Sequence, residues 1–293
     1  MVNLKASWFA EDLEQYGNPT ALRLLSAHRQ VINFTAEAWP HLLIVAAPGP
    51  GKGPCTIGLP EAEFFRLRAA VGTIGSGRFG KNLVSLPAGG KCIRINWRAG
   101  NRICLAPVYL GSTDCGRLKK NTEISRAVLK VMNLPTASAV LLGSAGGDRY
   151  FRSAIDLYFP RLVHALQTRD RQEFMKSCRN LIGMGRGSSP TGDDLIHGAL
   201  VAFHYFDFDP EFIDALRMEV IDAAGQTNFM GRHMIETGLR GLTPEIVRGF
   251  ILALAGDKTD PEDVLAASGI GSSTGYDVVI AILYFIEKLI NKN

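Results

Sequence analysis

No uninterrupted apolar run in this 293-residue chain reaches the roughly 18–20 residues that span a bilayer, so no membrane-crossing helix is expected. The first fifteen residues include Glu11, Asp12 and Glu14 and lack the basic-then-apolar order of a secretory signal, which makes the cytoplasm the expected compartment. The five cysteines (Cys55, Cys92, Cys104, Cys115 and Cys178) contain no CxxC pair. That pattern fits neither a zinc ribbon nor a disulfide framework, and reduced thiols are expected. Acid is missing from Phe64 to Thr113, where Arg66, Arg68, Arg78, Lys81, Lys91, Arg94, Arg98 and Arg102 stand unopposed, although the whole chain carries only +4. From Thr191 onward acids outnumber bases. A basic half can mark nucleic-acid binding, but no recognition motif accompanies this one. Neither nucleic acid nor membrane is an expected partner. Docking against the acidic C-terminal half, a partner subunit or small anions is.

What is present is globular material, 46% hydrophobic and 20% charged, in a length sufficient for two domains with sizeable cores. Residues 6–26 read as a leading helical arm marked by Leu13, Leu22, Leu24 and Leu25. Short strand-like runs follow at 30–35, 42–46, 55–59, 83–86, 91–97 and 103–110, separated by Gly, Pro and Asn, with one helix at 61–70. That spacing suggests an antiparallel sandwich or barrel-like module. Beyond residue 121 the period becomes helical. Asp170 with Glu173, Asp209-Pro210, Thr243-Pro244 and Asp260-Pro261 each mark a helix start. The expected fold class is α+β, an N-terminal β-rich domain (1–135) followed by a C-terminal all-helical domain (136–293).

Two glycine-rich segments resemble known loops only superficially. Gly49-Pro50-Gly51-Lys52-Gly53-Pro54 lacks the Walker spacing and the Ser/Thr after the lysine, and reads as a structural turn. Gly75-Ser76-Gly77-Arg78-Phe79-Gly80 opens no helix and has no acid about twenty residues on, so it is not read as a dinucleotide fingerprint.

The segment Gly183-Met184-Gly185-Arg186-Gly187-Ser188-Ser189-Pro190-Thr191-Gly192-Asp193-Asp194 is different, because it runs into an apolar helical stretch. Glycines allow close backbone approach, Ser188, Ser189 and Thr191 supply hydroxyls, and a helix start favours anions. The pattern returns at 269–277. With Pro190 set aside, Gly187 aligns with Gly271, Ser188-Ser189 with Ser272-Ser273, Thr191-Gly192 with Thr274-Gly275, and Asp194 with Asp277. Both loops are expected to face one polar site. A carboxylate about 4 Å from a bound phosphate repels it by about 1 kcal/mol in water and several-fold more in a drier site. Asp193, Asp194 and Asp277 therefore call for a compensating positive group. Mg²⁺ held by those three acids, an arginine such as Arg186 or Arg232, and an NH₂-bearing substrate all satisfy that need. His197, His204 and His233 read as buried, hydrogen-bonded histidines. Thr227 and Asn228, at another helix start, are candidates for the same cavity.

These residues resemble the AllH-type subunit of oxamate carbamoyltransferase, whose hallmark is a GxGxGxTPxGDD loop before an apolar helix. The family's Thr-Pro-Ser stands here as Ser189-Pro190-Thr191, its Thr-led helix start as Thr227-Asn228, and its Gly-His-Ser-Ser-Gly-x-Asp loop as residues 271–277 without the histidine. The resemblance implies a multi-subunit enzyme of allantoin breakdown that exchanges a carbamoyl group between oxalurate and phosphate, giving oxamate and carbamoyl phosphate. On that reading Ser188, Ser189, Thr191, Ser272, Ser273 and Thr274, with the backbone around Gly187, Gly192 and Gly275, cradle phosphate or the oxamate carboxylate. Thr227 and Asn228 line the same site, and Asp193, Asp194 and Asp277 orient the NH₂ group or a Mg²⁺. Competing readings are a Mg²⁺-dependent hydrolase or phosphotransferase, and a non-catalytic scaffold subunit docking through its arginine-rich surface. Partner subunits or a homo-oligomer are expected under the first and last.

Overall fold

Thr20-Ala21-Leu22-Arg23-Leu24 alternates side by side, with Thr20 and Leu22 buried and Ala21 and Arg23 exposed, which is the period of a strand rather than a helix. In the computed structural model, which describes all residues except 17, 37, 40, 50, 145–148 and 293, this stretch is indeed a strand. The helical arm expected over 6–26 is therefore replaced by extended chain and a short 3₁₀ turn at Glu11–Gln15. Four leucines suggested a helix, but two-residue alternation and pairing partners on both sides decide the matter. Pro50 of the 49–54 turn lies outside the described residues.

The strands are β1 (Val2–Lys5), β2 (Trp8–Ala10), β3 (Thr20–Ala27), β4 (Val31–Ala36), β5 (Leu42–Ala46), β6 (Thr56–Gly58), β7 (Gly77–Phe79), β8 (Leu83–Ala88), β9 (Lys91–Asn96) and β10 (Asn101–Ile103). They form one mixed sheet in the order β1-β9-β8-β7-β3-β4-β5-β6-β2-β10, antiparallel except where β1 joins β9, β5 joins β6 and β10 joins β2. One helix, α1 (Glu61–Ala69), adds Phe64 and Leu67 to a core containing Leu22, Phe34, Phe79 and Trp97. Gly77 sits inside β7, where a Cβ would lie 2.9 Å from the Ser85 carbonyl oxygen. The GxGxxG string is thus a tightly packed strand and not a phosphate loop.

The helices that follow are α2 (Cys115–Met132), α3 (Arg149–Thr168), α4 (Arg171–Leu181), α5 (Thr191–Phe206), α6 (Pro210–Ala223), α7 (Phe229–Gly238), α8 (Glu245–Ala255), α9 (Pro261–Ser268) and α10 (Thr274–Ile290). Side-chain caps from Asp114, Asp170 and Asp209 start α2, α4 and α6. The fold class is α+β. By its own contacts the chain divides into Met1–Leu105 and Ala106–Asn293. That boundary precedes 135/136 because α2 places Leu118 and Leu129 in the core of the helical unit.

Two helices organise the second unit. All sixteen residues of α5 are buried, as is α10 from Gly275 through Leu283. Helices buried on every face in this way sit at the centre of a bundle. They cross closely at Gly198, where a Cβ would stand 2.6 Å from the Val278 carbonyl oxygen and 2.7 Å from Ala281 Cβ.

Candidate functional site

The two glycine-rich loops are built alike. Each leaves the end of one helix (α4 or α9), turns through a glycine with positive φ (Gly187 at 98°, Gly271 at 66°), and enters a central helix (α5 or α10). The Gly192 amide donates to Met184 O at 2.7 Å, and the Gly275 amide to Ile270 O at 2.9 Å. These bonds satisfy donors a helix start leaves open. The glycines provide room rather than ligand contacts: a side chain at Gly192 would overlap the Leu181 carbonyl oxygen, and one at Gly275 the Ala267 carbonyl oxygen. Above the helix starts Gly187, Ser188 and Ser272 are exposed, with Ser189, Ser273 and Thr274 half-buried.

Beneath them lie three fully buried acids. Asp193 accepts the Gly183 amide at 2.8 Å on Oδ1 and the Thr227 hydroxyl at 2.5 Å on Oδ2. It occupies the start of α7, since any side chain at Gly231 would overlap its Oδ2. Thr227 thus serves Asp193, and Asn228 caps α7 by accepting the amides of Met230 and Gly231 at 3.0 Å. Asp194 accepts the Ser189 hydroxyl on Oδ1, and Asp277 accepts the Ser138 hydroxyl on Oδ1. The remaining oxygen of each, Oδ2, is buried without a hydrogen-bond partner among the described residues.

The two loops meet through these acids. The Asp194 pKa is held well above the usual carboxylate range, first by burial and then by the charges of Asp277 and Asp193, with Ser189 and Thr274 pulling it back. Asp277 is raised to about 6 by burial, against hydroxyls from Ser138, Thr136 and Thr191. The Thr274 hydroxyl of the second loop therefore lies near the acid of the first, and the Thr191 hydroxyl of the first near the acid of the second, while each Oδ2 stays without a hydrogen bond among the described residues. Asp193 is also raised to about 6 by burial, opposed by Thr227 and the Gly183 amide. Desolvation outweighs the favourable helix dipole at all three.

Thr136 and Ser138 were not read as site residues from sequence. Their hydroxyls lie 2.7 Å apart, and Ser138 reaches Asp277 across 139 positions, a separation no local pattern signals. His197 is structural: one ring nitrogen donates to Met234 O at 2.8 Å, the other lies 3.2 Å from the Thr243 hydroxyl, and burial lowers its pKa to about 4. His204, bonded to Leu239 O at 3.1 Å, is likewise lowered to about 4 by burial. Arg232 donates to Glu236 at 3.1 Å within its own helix. Among the described residues no group of three or more His, Cys, Asp or Glu side chains is placed to hold a metal ion. The acids are tied to hydroxyls and one amide instead.

Residues 181–286, from the last residue of α4 into α10, match the family described as oxamate carbamoyltransferase subunit AllH. The likeness drawn from the 183–194 loop is borne out over that segment, which contains both loops and all three acids. No curated protein and no solved structure matches the chain. That family's name denotes one subunit of an assembly. Among the described residues no helix is long and apolar enough to cross a membrane.

Proposed function

We propose, from that family match as premise, that the chain acts as a subunit of a carbamoyltransferase-type enzyme and that its paired loops hold a small anionic amide of the oxamate or carbamoyl phosphate class. One observation carries the reading. Two acids far apart in sequence, Asp194 and Asp277, meet below two hydroxyl-rich loops, and each keeps one buried oxygen with no partner among the described residues. A buried acceptor left unpaired costs about 1–3 kcal/mol, and native structures retain few of them. An NH₂ group of the ligand would supply the missing donors. The oxyanion end would rest on the Ser188, Ser272 and Ser273 hydroxyls and nearby loop backbone, close to the positive ends of α5 and α10.

The raised pKa values suit such a ligand. A carboxylate held partly or wholly protonated repels a bound phosphate less than an ionised one. For carbamoyl transfer the loops would act chiefly by positioning and by stabilising developing oxyanion charge.

Calorimetry with phosphate, carbamoyl phosphate and oxamate, each with and without Mg²⁺, tests the proposal. Ser188→Glu with Ser272→Glu places two carboxylates on the exposed rim and is expected to weaken anion binding by about tenfold or more while leaving the fold intact. Asp194→Asn and Asp277→Asn substitute donors for acceptors and are expected to abolish binding of the NH₂-bearing ligands but not of phosphate. Failure of all three anions to bind the assembled enzyme at millimolar concentration would overturn the reading. Unchanged binding in both Asn variants would remove the acids' role.

A further inference from the structure

The basic excess belongs to the first unit: residues 1–105 contain twelve Lys and Arg against six Asp and Glu. Four of those cations form two contrasting pairs. Arg98 and Arg102 are neutralised at the 3₁₀ turn, where Arg98 lies 3.6 Å from Glu14, and Arg102 lies 2.5 Å from Glu11 and 3.6 Å from Glu14. Among the described residues Arg78 and Arg94 form no ion pair with an acid. The five adjacent strands β1, β9, β8, β7 and β3 contain no Asp or Glu at all.

Register places the second pair in line. Ala21 pairs with Arg78, Arg78 with Ser85, Ser85 with Arg94, and Arg94 with Asn3, so one row crosses all five strands. Side chains alternate between faces along a strand. Leu4, Leu22, Phe79, Val84, Leu86, Ile93 and Ile95 point into the core, so this row faces away from it. The next row on the outward face joins Leu83, Asn96 and Lys5, with Leu83 39% exposed. At roughly 4.8 Å between strands, Arg78 and Arg94 stand about 10 Å apart across Ser85. The Arg94 Nε is buried without a hydrogen-bond partner among the described residues. Glu63 of α1 reaches the edge of this region, where it accepts the Lys5 amide at 2.6 Å.

We infer that this outward face docks an acidic surface of a partner protein, with Arg78 and Arg94 receiving carboxylates and Leu83 covered at the margin. A partly desolvated guanidinium binds a carboxylate more strongly than a fully hydrated one and does so through paired N–H groups. The apolar Leu83 and Pro87 on the same face suit a protein surface better than a phosphate backbone. This inference is independent of the ligand proposed for the paired loops.

The test uses the full chain and a fluorescent peptide in which glutamates alternate with leucines, read by anisotropy at low and physiological salt. Binding that weakens with salt is expected. Arg78→Ala with Arg94→Ala should weaken it by about tenfold. Arg98→Ala with Arg102→Ala, the same change in net charge, should alter it by less than about twofold because those cations already have partners. Absence of peptide binding, an equal loss in the two double variants, or stronger competition by duplex DNA than by unlabelled peptide at physiological salt would each overturn the inference. Unchanged circular dichroism of both double variants secures the comparison.

Discussion

Replacing Gly192 by alanine is expected to destabilise the protein by about 3 kcal/mol or more, and Gly275→Ala to do the same. In both cases the added methyl would meet a backbone carbonyl at the end of the preceding helix, Leu181 O or Ala267 O. A flexible side chain could swing aside, but a helix terminus cannot move without displacing the helix. Both glycines also hold the amide that closes the loop, so relief of the clash would break the bonds to Met184 O and Ile270 O. Alanine is intrinsically better than glycine in a helix by about 1 kcal/mol, and the clash must exceed that gain. Gly249→Ala supplies the contrast. It lies exposed in α8 with nothing within 4 Å of its added Cβ, and a gain of about 0.5–1 kcal/mol is expected there. Urea unfolding of the three variants side by side checks the set. A Gly192→Ala protein as stable as the parent would mean that the loop and α4 are not packed as described.

Asp277→Asn is expected to change how stability responds to pH. Burial raises the folded Asp277 pKa to about 6 from an ordinary 3.8. The folded state therefore holds a proton that the unfolded state has released between those values. Stability from this group is fully present below about pH 4, declines as pH rises through 6, and stays low above it. Over about two pH units the swing amounts to about 3 kcal/mol. Asparagine cannot titrate and can still accept the Ser138 hydroxyl. The variant's stability relative to the parent should therefore rise by about 3 kcal/mol between pH 4 and 7, whatever its constant offset. His197 and His204 act in the opposite sense. Their pKa values fall to about 4, so their contribution is present above 6.5 and is lost as pH falls toward 4. The parent curve is consequently shallow where the individual groups are steep. Unfolding free energies of both proteins at several pH values measure the difference, and a difference independent of pH would contradict the burial of an ionisable Asp277.

Much of the site was legible locally. Glycine, serine, threonine and proline between two apolar helices announce a loop and a helix entry, because such residues cannot hold a regular period and do supply caps. The repeat at 271–277 was visible as a pattern of hydroxyls and acid. Asp209-Pro210 and Asp260-Pro261 marked helix starts because proline lacks the amide that the first helical position does not use. The N-terminal arm departs from the helical expectation for an equally physical reason. Leucine favours helices intrinsically, yet strand pairing on both sides of Thr20–Ala27 outweighs propensities worth only tenths of a kcal/mol.

By itself the sequence determined which elements are helices and strands in most of the chain, where the loops enter α5 and α10, and that hydroxyls and acids are concentrated there. These are consequences of neighbours a few positions apart, where period, capping and backbone freedom act. Only the tertiary structure decided that Thr191 lies near Asp277 while Thr274 lies near Asp194, that Ser138 bonds Asp277 with Thr136 behind it, and that Asp193 fills the start of α7. The same holds for the acids' raised pKa values and for the alignment of Arg78 with Arg94. Burial and register arise from packing between distant segments, and the desolvation that governs a buried carboxylate exists only after that packing is complete.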